Sequence, residues 1–120
     1  MKFILIFLGG GLGSVLRYIV SKYFNAFDTV IPYGTFLVNI LGSLFIGILL
    51  GLSIRSNVLN HNQTLFLAVG FCGGFTTFST FAFESTEILE SGDYFNLVFY
   101  LIGSIILGIS AIFLGLYLAK

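Results

Sequence analysis

Charge is scarce in this chain. Only 8% of its 120 residues are Asp, Glu, Lys or Arg, whereas 58% are hydrophobic. A soluble domain carries about 25% charged residues, because its surface must face water. The five basic residues are matched by five acidic ones, so the charge balance provides no attraction to nucleic acid. The composition therefore excludes an ordinary soluble domain and indicates a membrane protein.

Cysteine and histidine are almost absent, at one residue each. Cys72 lies in an apolar stretch, so neither a disulfide framework nor a thiolate metal cluster is available. His61 lies in a polar connection and is interpreted as a solvated loop residue. A nucleophile, a base and an orienting group cannot be assembled from one histidine and one cysteine. The sequence therefore predicts that the protein is not an enzyme.

Long apolar runs fill most of the chain. A bilayer core of roughly 30 Å needs about 20 apolar residues in a helix. Four such runs cover residues 3–23, 33–54, 64–89 and 94–119, and runs of this length favour helices over the alternating strands of a barrel. The first run continues past Gly9 without a convincing cleavage site, so we expect it to be retained. The sequence predicts an all-α membrane protein whose single domain, residues 1–120, has four transmembrane helices.

The basic residues give little preference for one orientation in the membrane. With four spans, Lys2, Arg55 and Lys120 lie on one side, and Lys22 lies on the other, with Arg17 near it. Orientation follows the Lys/Arg bias of the connections, and acidic residues contribute little. A bias of three against one or two is weak, and it is compatible with insertion in both orientations.

Small residues recur at four-residue spacing in three of the spans. Such rows let helix backbones approach closely. They are consistent either with packing inside one bundle or with an interface between subunits. The rows are Gly9/Gly13, Ser43/Gly47/Gly51 and Ser104/Gly108.

The middle of the third span is a poor plain helix. Gly73 and Gly74 cost about 1 kcal/mol each relative to alanine, and four hydroxyls follow at residues 76, 77, 79 and 80. A broken helix survives at mid-membrane only where protein or a water-lined path surrounds it, and its freed backbone groups can bind ions. The alternative is a softened helix whose hydroxyls bond to their own turn.

Aromatic and polar side chains surround this segment. Phe75, Phe78 and Phe81 are three residues apart, and the electropositive edges of phenyl rings can solvate an anion weakly. Packing in the core or against lipid is the alternative.

The amide of Asn39, deep in span two, costs free energy in lipid unless it forms hydrogen bonds. It therefore serves either an ion path or an interhelical hydrogen bond. The same alternatives apply to Ser104, which shares a helix face with Tyr100. Arg17 can snorkel to the interface, and Glu84 is either at a pore mouth or simply interfacial.

Three motifs in order make the whole chain resemble the Fluc/CrcB family of fluoride channels. They are Gly-Gly-x-Gly-Ser-x-x-Arg-Tyr at residues 10–18, Gly-Thr-Phe-x-Val-Asn-x-x-Gly-Ser at 34–43, and Gly-Phe-Cys-Gly-Gly-Phe-Thr-Thr-Phe-Ser-Thr-Phe at 70–81. The resemblance implies a passive channel in the cell membrane that exports fluoride from the cytoplasm and relieves its toxicity. It also implies a dimer of two oppositely oriented subunits, either identical or paralogous, with two fluoride pathways.

The resemblance also implies roles for individual residues. A structural Na⁺ is expected at the break in span three, held by the backbone carbonyls of Gly73 and Thr76 from both subunits. Arg17 and Glu84 match the family's residues at the pore mouth or vestibule. Phe75 departs from the family, which often has an aliphatic residue there. The fluoride pathway is expected along Asn39, Phe78, Phe81, Ser79, Thr80, Tyr100 and Ser104.

Two other functions share part of this pattern. A small multidrug/proton antiporter of dual topology needs a carboxylate deep in the membrane, expected in its first span, where this chain has Arg17 and no acid. A non-conducting scaffold subunit would explain the rows of small residues but not the hydroxyl-rich third span.

Overall fold

The computed structural model describes residues 1–25, 29–55 and 57–119. Lys120, assigned above to the same side as Lys2 and Arg55, lies outside the described residues. Four helical segments are long and apolar enough to cross a membrane: Lys2–Phe24, Tyr33–Ile54, His61–Ser91 and Tyr94–Leu118. The protein is 48 Å long, which suits a bilayer of about 40–45 Å with its headgroups. The described residues form an all-helical fold with four membrane-length helices, as the sequence predicts.

The first two spans are continuous helices, α1 (Lys2–Phe24) and α2 (Tyr33–Ile54). Pro32 lies immediately before α2, with φ −77° and ψ 85°. The last span, α6 (Tyr94–Leu118), begins where the side chain of Asp93 accepts a hydrogen bond from the backbone N–H of Asn96. These signals place the ends of the spans in short polar connections.

The third span is divided into four helical pieces. One turn, α3 (His61–Thr64), begins at a capping box in which the side chains of Asn60 and Gln63 each accept from the other's backbone N–H. A π-helix follows over Leu65–Cys72, then a short α4 (Gly73–Phe75). After an interruption at residues 76–78, α5 (Ser79–Ser91) continues to Gly92, whose φ of 83° ends the helix. The break expected in this span is present.

Glycines allow the helices to pack in two close pairs. A Cβ on Gly13 of α1 would overlap the carbonyl oxygen of Phe71, and one on Gly47 of α2 would lie 2.5 Å from the carbonyl oxygen of Ile112. Helix α1 therefore packs backbone to backbone against the first half of span three, and α2 packs likewise against α6. The rows containing Gly9/Gly13 and Gly47/Gly51 serve packing inside the chain.

Large apolar side chains face outward on the spans, as expected in lipid. Phe3 and Phe95, for example, are 85% and 80% exposed. The buried residues form two small clusters instead of one broad core. One contains Phe81, Ile88 and Tyr100, and the other contains Leu49 and Cys72. The first of these clusters borders the interruption in the third span.

Candidate ion pathway at the interrupted third span

The interruption begins where the backbone of Thr76 becomes extended, at φ −88° and ψ 159°. Thr76 still bonds to its own preceding turn, because its backbone N–H and its hydroxyl both donate to the carbonyl oxygen of Cys72, at 3.0 and 2.9 Å. Beyond that point the helix does not continue. The last carbonyls of α4 are thereby released from helical hydrogen bonds, and they become available to other partners.

Asn39 on α2 holds the interrupted backbone at Thr77. Its Nδ2 donates to the carbonyl oxygen of Thr77 at 3.0 Å, and its Oδ1 accepts from the backbone N–H of Thr77 at 2.8 Å. The interhelical hydrogen bond considered for this amide is therefore formed. An amide nitrogen carries two N–H donors, and the second has no acceptor among the residues that the structure describes.

Arg17 on α1 holds the same segment from the other side. Its Nε donates to the carbonyl oxygen of Gly74 at 2.9 Å. A cation at a helix C-terminus is favourable, because the last carbonyls carry partial negative charge. Arg17 therefore contacts the end of α4 in the third span, and its snorkelling to the membrane interface stays an untested alternative.

The first turn of α5 is also bonded to Thr77, which lies one residue before the N-cap position Phe78 and was given no specific role from the sequence. The hydroxyl of Thr77 accepts from the backbone N–H of Thr80 at 3.1 Å and lies 3.4 Å from the hydroxyl of Ser79. This hydroxyl satisfies one of the first backbone N–H groups of α5, which have no partner within the helix. The position of Thr77 just before the helix was an available signal in the sequence. It was not distinctive, because Thr77 is one of four closely spaced serine and threonine residues.

An open groove of about 430 Å³ runs beside the interruption. Ser104 lies in its wall, and the hydroxyl of this residue is buried without a hydrogen-bond partner within the described ranges. Ser43 and Gly108, from the rows of small residues, also line it. The groove brings together six of the predicted site residues, namely Asn39, Gly73, Thr76, Phe78, Phe81 and Ser104. The other three residues predicted for the pathway, Ser79, Thr80 and Tyr100, do not line it.

The two phenylalanines of the groove differ in exposure. Their ring centroids are 6.0 Å apart, with planes inclined by 53°. Phe81 is only 8% exposed, and its ring lies 5.0 Å from that of Tyr100, whereas Phe78 is 77% exposed. Phe81 therefore belongs to the interior of this chain, and Phe78 projects from the open side of the groove.

Glu84 lies in a separate polar cluster and does not line the groove. Its carboxylate accepts from the hydroxyls of Thr35 at 3.0 Å and Tyr100 at 3.3 Å, and from the Nδ2 of Asn25 at 3.4 Å. Thr35 and Tyr100 are fully buried. A cavity of about 360 Å³ next to Glu84 also contacts Glu87. Phe81 joins the two sites, because it packs on Tyr100 and also lines the groove.

Thr35 and Asn25 were not identified from the sequence. Thr35 precedes Asn39 by four residues and therefore shares its helix face, which was an available signal. Asn25 accepts from the backbone N–H of Gly34 at 2.6 Å through its Oδ1, a contact that depends on how the first connection folds. The ion-pathway and Na⁺ roles assigned to the site residues stay predictions.

Fold and site together define a multi-pass helical membrane protein whose third span is interrupted beside a polar groove. A family model described as CrcB-like protein, Camphor Resistance (CrcB), matches residues 4–116. The chain belongs to this CrcB family, and the resemblance carried by its three motifs is confirmed.

Full-length relatives support the same assignment. A protein named fluoride-specific ion channel FluC from Azobacteroides pseudotrichonymphae is 45% identical to this chain, over 99% of the chain and 96% of the relative. A protein of the same name from Phocaeicola vulgatus is 48% identical, over 98% of the chain and 97% of the relative. A third, in Gloeothece citriformis, is 46% identical over 100% and 98%. Because these relatives are named as ion channels, the protein is not an enzyme, as the sequence predicted.

Proposed function

We propose that this protein is a fluoride-selective passive channel that exports F⁻ from the cytoplasm and relieves fluoride toxicity. Fluoride is proposed as the conducted ion because the relatives are named fluoride-specific ion channels. The observation that carries the proposal is the interrupted third span, because its polar groups border a groove that also contains two phenylalanine rings. An antiporter would need a carboxylate in α1, which has none.

The groove offers donors in place of water. Fluoride is small and strongly hydrated, so entry requires hydrogen-bond donors along its path. The second N–H of Asn39 and the unpartnered hydroxyl of Ser104 serve this purpose inside the groove. Ser79, Thr80 and Tyr100 do not line the groove, and the hydroxyl of Tyr100 donates to Glu84, so their proposed pathway roles apply outside the groove. The edges of Phe78 and Phe81 add weak attraction. Conduction needs binding that is weak enough for release, and the groove lining contains no fixed positive charge among the described residues.

The clusters beside the groove have supporting roles. Arg17 donates to the carbonyl oxygen of Gly74 and does not line the groove, so its positive charge helps to hold the interruption without lying in the proposed pathway. Glu84, at the pore mouth, accepts the hydroxyl of Thr35. The carboxylate thereby fixes the hydroxyls that surround it.

Export needs no energy source beyond the membrane potential. Hydrogen fluoride is a neutral weak acid that crosses lipid and dissociates in a less acidic cytoplasm. An inside-negative potential then favours anion exit by about 2.3 kcal/mol per 100 mV. A selective passive pore is sufficient for this task.

A second subunit in the opposite orientation would complete the pathway. The groove is open on one side, and Phe78 projects there with 77% of its surface exposed. A dimer of antiparallel subunits would cover this side with the same elements and form two pathways. The weak Lys/Arg bias permits the two orientations, and the partner is either an identical chain or a paralogue.

The end of α4 suits a structural Na⁺. Gly73 at the start of α4 and Thr76 just after its end both line the groove, and a Cβ on Gly73 would meet nothing within 4 Å. The described residues contain no group of three or more His, Cys, Asp or Glu side chains that could hold a metal, so backbone carbonyls are the fitting ligands, as in other broken membrane helices. Carbonyls from both subunits would hold the ion, whose charge offsets the cost of placing an anion nearby.

The decisive experiment measures ion efflux from liposomes that contain the purified protein. Vesicles are loaded with KF or KCl, and valinomycin sets a K⁺ potential. We expect rapid fluoride efflux and little chloride efflux. Equal rates for the two anions, or no fluoride efflux, would refute the proposed function.

Two substitutions test the assigned pathway. Phe78→Ile and Phe81→Ile should cut fluoride flux and leave the dimer assembled, as judged by size-exclusion chromatography. Phe113→Ile is the matched control, because Phe113 is 68% exposed on α6 and does not line the groove. Full flux in the Phe78 and Phe81 variants would contradict their roles.

A further inference from the structure

A second groove follows the outer face of α1, away from the ion pathway. It has a volume of about 610 Å³ and is almost entirely apolar. Gly11 gives it depth, because a Cβ built there would meet nothing within 4 Å. Its lining consists of Phe7, Leu8, Gly11, Leu12, Val15, Leu16, Ile19 and Phe71. The span from residue 7 to residue 19 is roughly 18 Å long at about 1.5 Å per residue, which is about the depth of one leaflet of a roughly 30 Å core.

The wall of this groove is a fixed structural element. The ring of Phe71 stacks on Phe75 with centroids 5.8 Å apart and planes 10° apart, and it meets Phe45 edge-on at 6.1 Å. Phe71 is thus held from the opposite side by the third span and α2. The groove is therefore a preformed concavity and not only the uneven surface of mobile side chains.

The groove ends at a cationic and aromatic site. A neighbouring cavity of about 500 Å³ is lined by Tyr18, Ile19, Lys22 and Tyr23, and the two cavities share Ile19. The Nζ of Lys22 lies 5.9 Å from the centroid of the Tyr18 ring. No carboxylate of the described ranges pairs with Lys22. Tyrosine and lysine at the end of a span are typical of the headgroup level of a bilayer.

We propose that this surface binds an anionic phospholipid, with an acyl chain in the α1 groove and the headgroup phosphate at Lys22. The charges of α1 favour a lipid over a second copy of the chain as the occupant of the groove. Helix α1 carries Lys2 and Lys22 near its two ends and has no acidic residue. A copy packed in parallel would place Lys22 against Lys22, and an antiparallel copy would place it against Lys2. Either arrangement brings like charges together, whereas an anionic headgroup complements Lys22.

Native mass spectrometry of the full-length protein, released from membranes of equal POPG and POPC, tests this site. We expect the wild type to retain POPG about fivefold more than POPC, which corresponds to ~1 kcal/mol for one lysine near an anionic surface. Lys22→Gln should abolish the preference. Lys2→Gln, at the other end of α1, is the matched control and should keep it. Equal retention by the wild type, or equal effects of the two substitutions, would overturn the proposal.

A second variant tests the acyl-chain groove separately from the charge. Gly11→Leu fills the groove where the structure leaves open space, so the protein should fold and conduct as the wild type does. We expect it to retain less POPG and less POPC. Unchanged retention would overturn the placement of the chain. Unchanged retention together with weaker subunit association would assign the groove to a second copy and also overturn the proposal.

Discussion

Replacing Asn39 by alanine removes both side-chain hydrogen bonds that fix the interrupted backbone at Thr77. The carbonyl and the N–H of Thr77 then lose their partners together. An unsatisfied buried polar group costs about 1–3 kcal/mol, so the upper bound is about 6 kcal/mol for the two groups. Because the groove beside Thr77 is open, water can replace part of the loss. We expect a destabilisation of about 2–3 kcal/mol by the same reasoning.

Denaturant titration of the detergent-solubilised protein measures this loss, and fluoride efflux from liposomes measures function. Asn39→Asp keeps an acceptor for the backbone N–H of Thr77 but removes the donors and adds a negative charge. It should therefore be more stable than Asn39→Ala and conduct no better.

Thr86→Ala is the control for the Asn39 variants. It deletes an exposed hydroxyl that donates to the carbonyl oxygen of Ala82, in its own helix, and should change stability by no more than about 0.5 kcal/mol. If Asn39→Ala matches this control in both stability and flux, Asn39 does not hold the interruption.

Further substitutions, at four positions, test the packing and the polar contacts. Gly13→Ala should destabilise the protein by about 1–3 kcal/mol, because its Cβ would overlap the backbone of span three. Gly11→Ala, where a Cβ meets open space, should leave stability unchanged or raise it by up to about 1 kcal/mol. Equal midpoints of the two variants in the denaturant titration would refute the close packing of α1. Arg17→Gln should cost about 1.5–3 kcal/mol through loss of a charge-assisted hydrogen bond, with incomplete rescue by lysine, and unchanged stability would contradict it. Thr35→Val removes a hydroxyl donor to Glu84 and should slow fluoride efflux; an unaltered rate would show that this cluster does not support conduction.

The sequence was most informative where the chemistry is local. Long apolar runs predict membrane helices regardless of what packs against them, and the four membrane-length helices are present. The hydroxyl-rich segment also predicted a break in the third span. The glycines that suggested it, Gly73 and Gly74, are nevertheless helical, and the chain departs from the helix at Thr76. The position of the break depends on Asn39 and Arg17, which come from other spans.

Features that depend on distant partners were not foreseen. The π-helix over Leu65–Cys72 packs against α1 at glycines, and no local sequence pattern predicted its wider turn. The cluster of Asn25, Thr35 and Glu84 joins residues up to 59 positions apart. Apolar periodicity carries no information about such pairings, because they are fixed only once the helices have assembled.

The bonds from α1 and α2 to the third span constrain how this protein is made. A lone third span leaving the insertion machinery would have no Asn39 or Arg17 to form hydrogen bonds with its interrupted backbone, and lipid penalises unpaired amides and carbonyls. Such a segment would have a lower free energy as a continuous helix. The interruption therefore belongs to the assembled bundle, and we expect it to open late in biogenesis, after three spans have met.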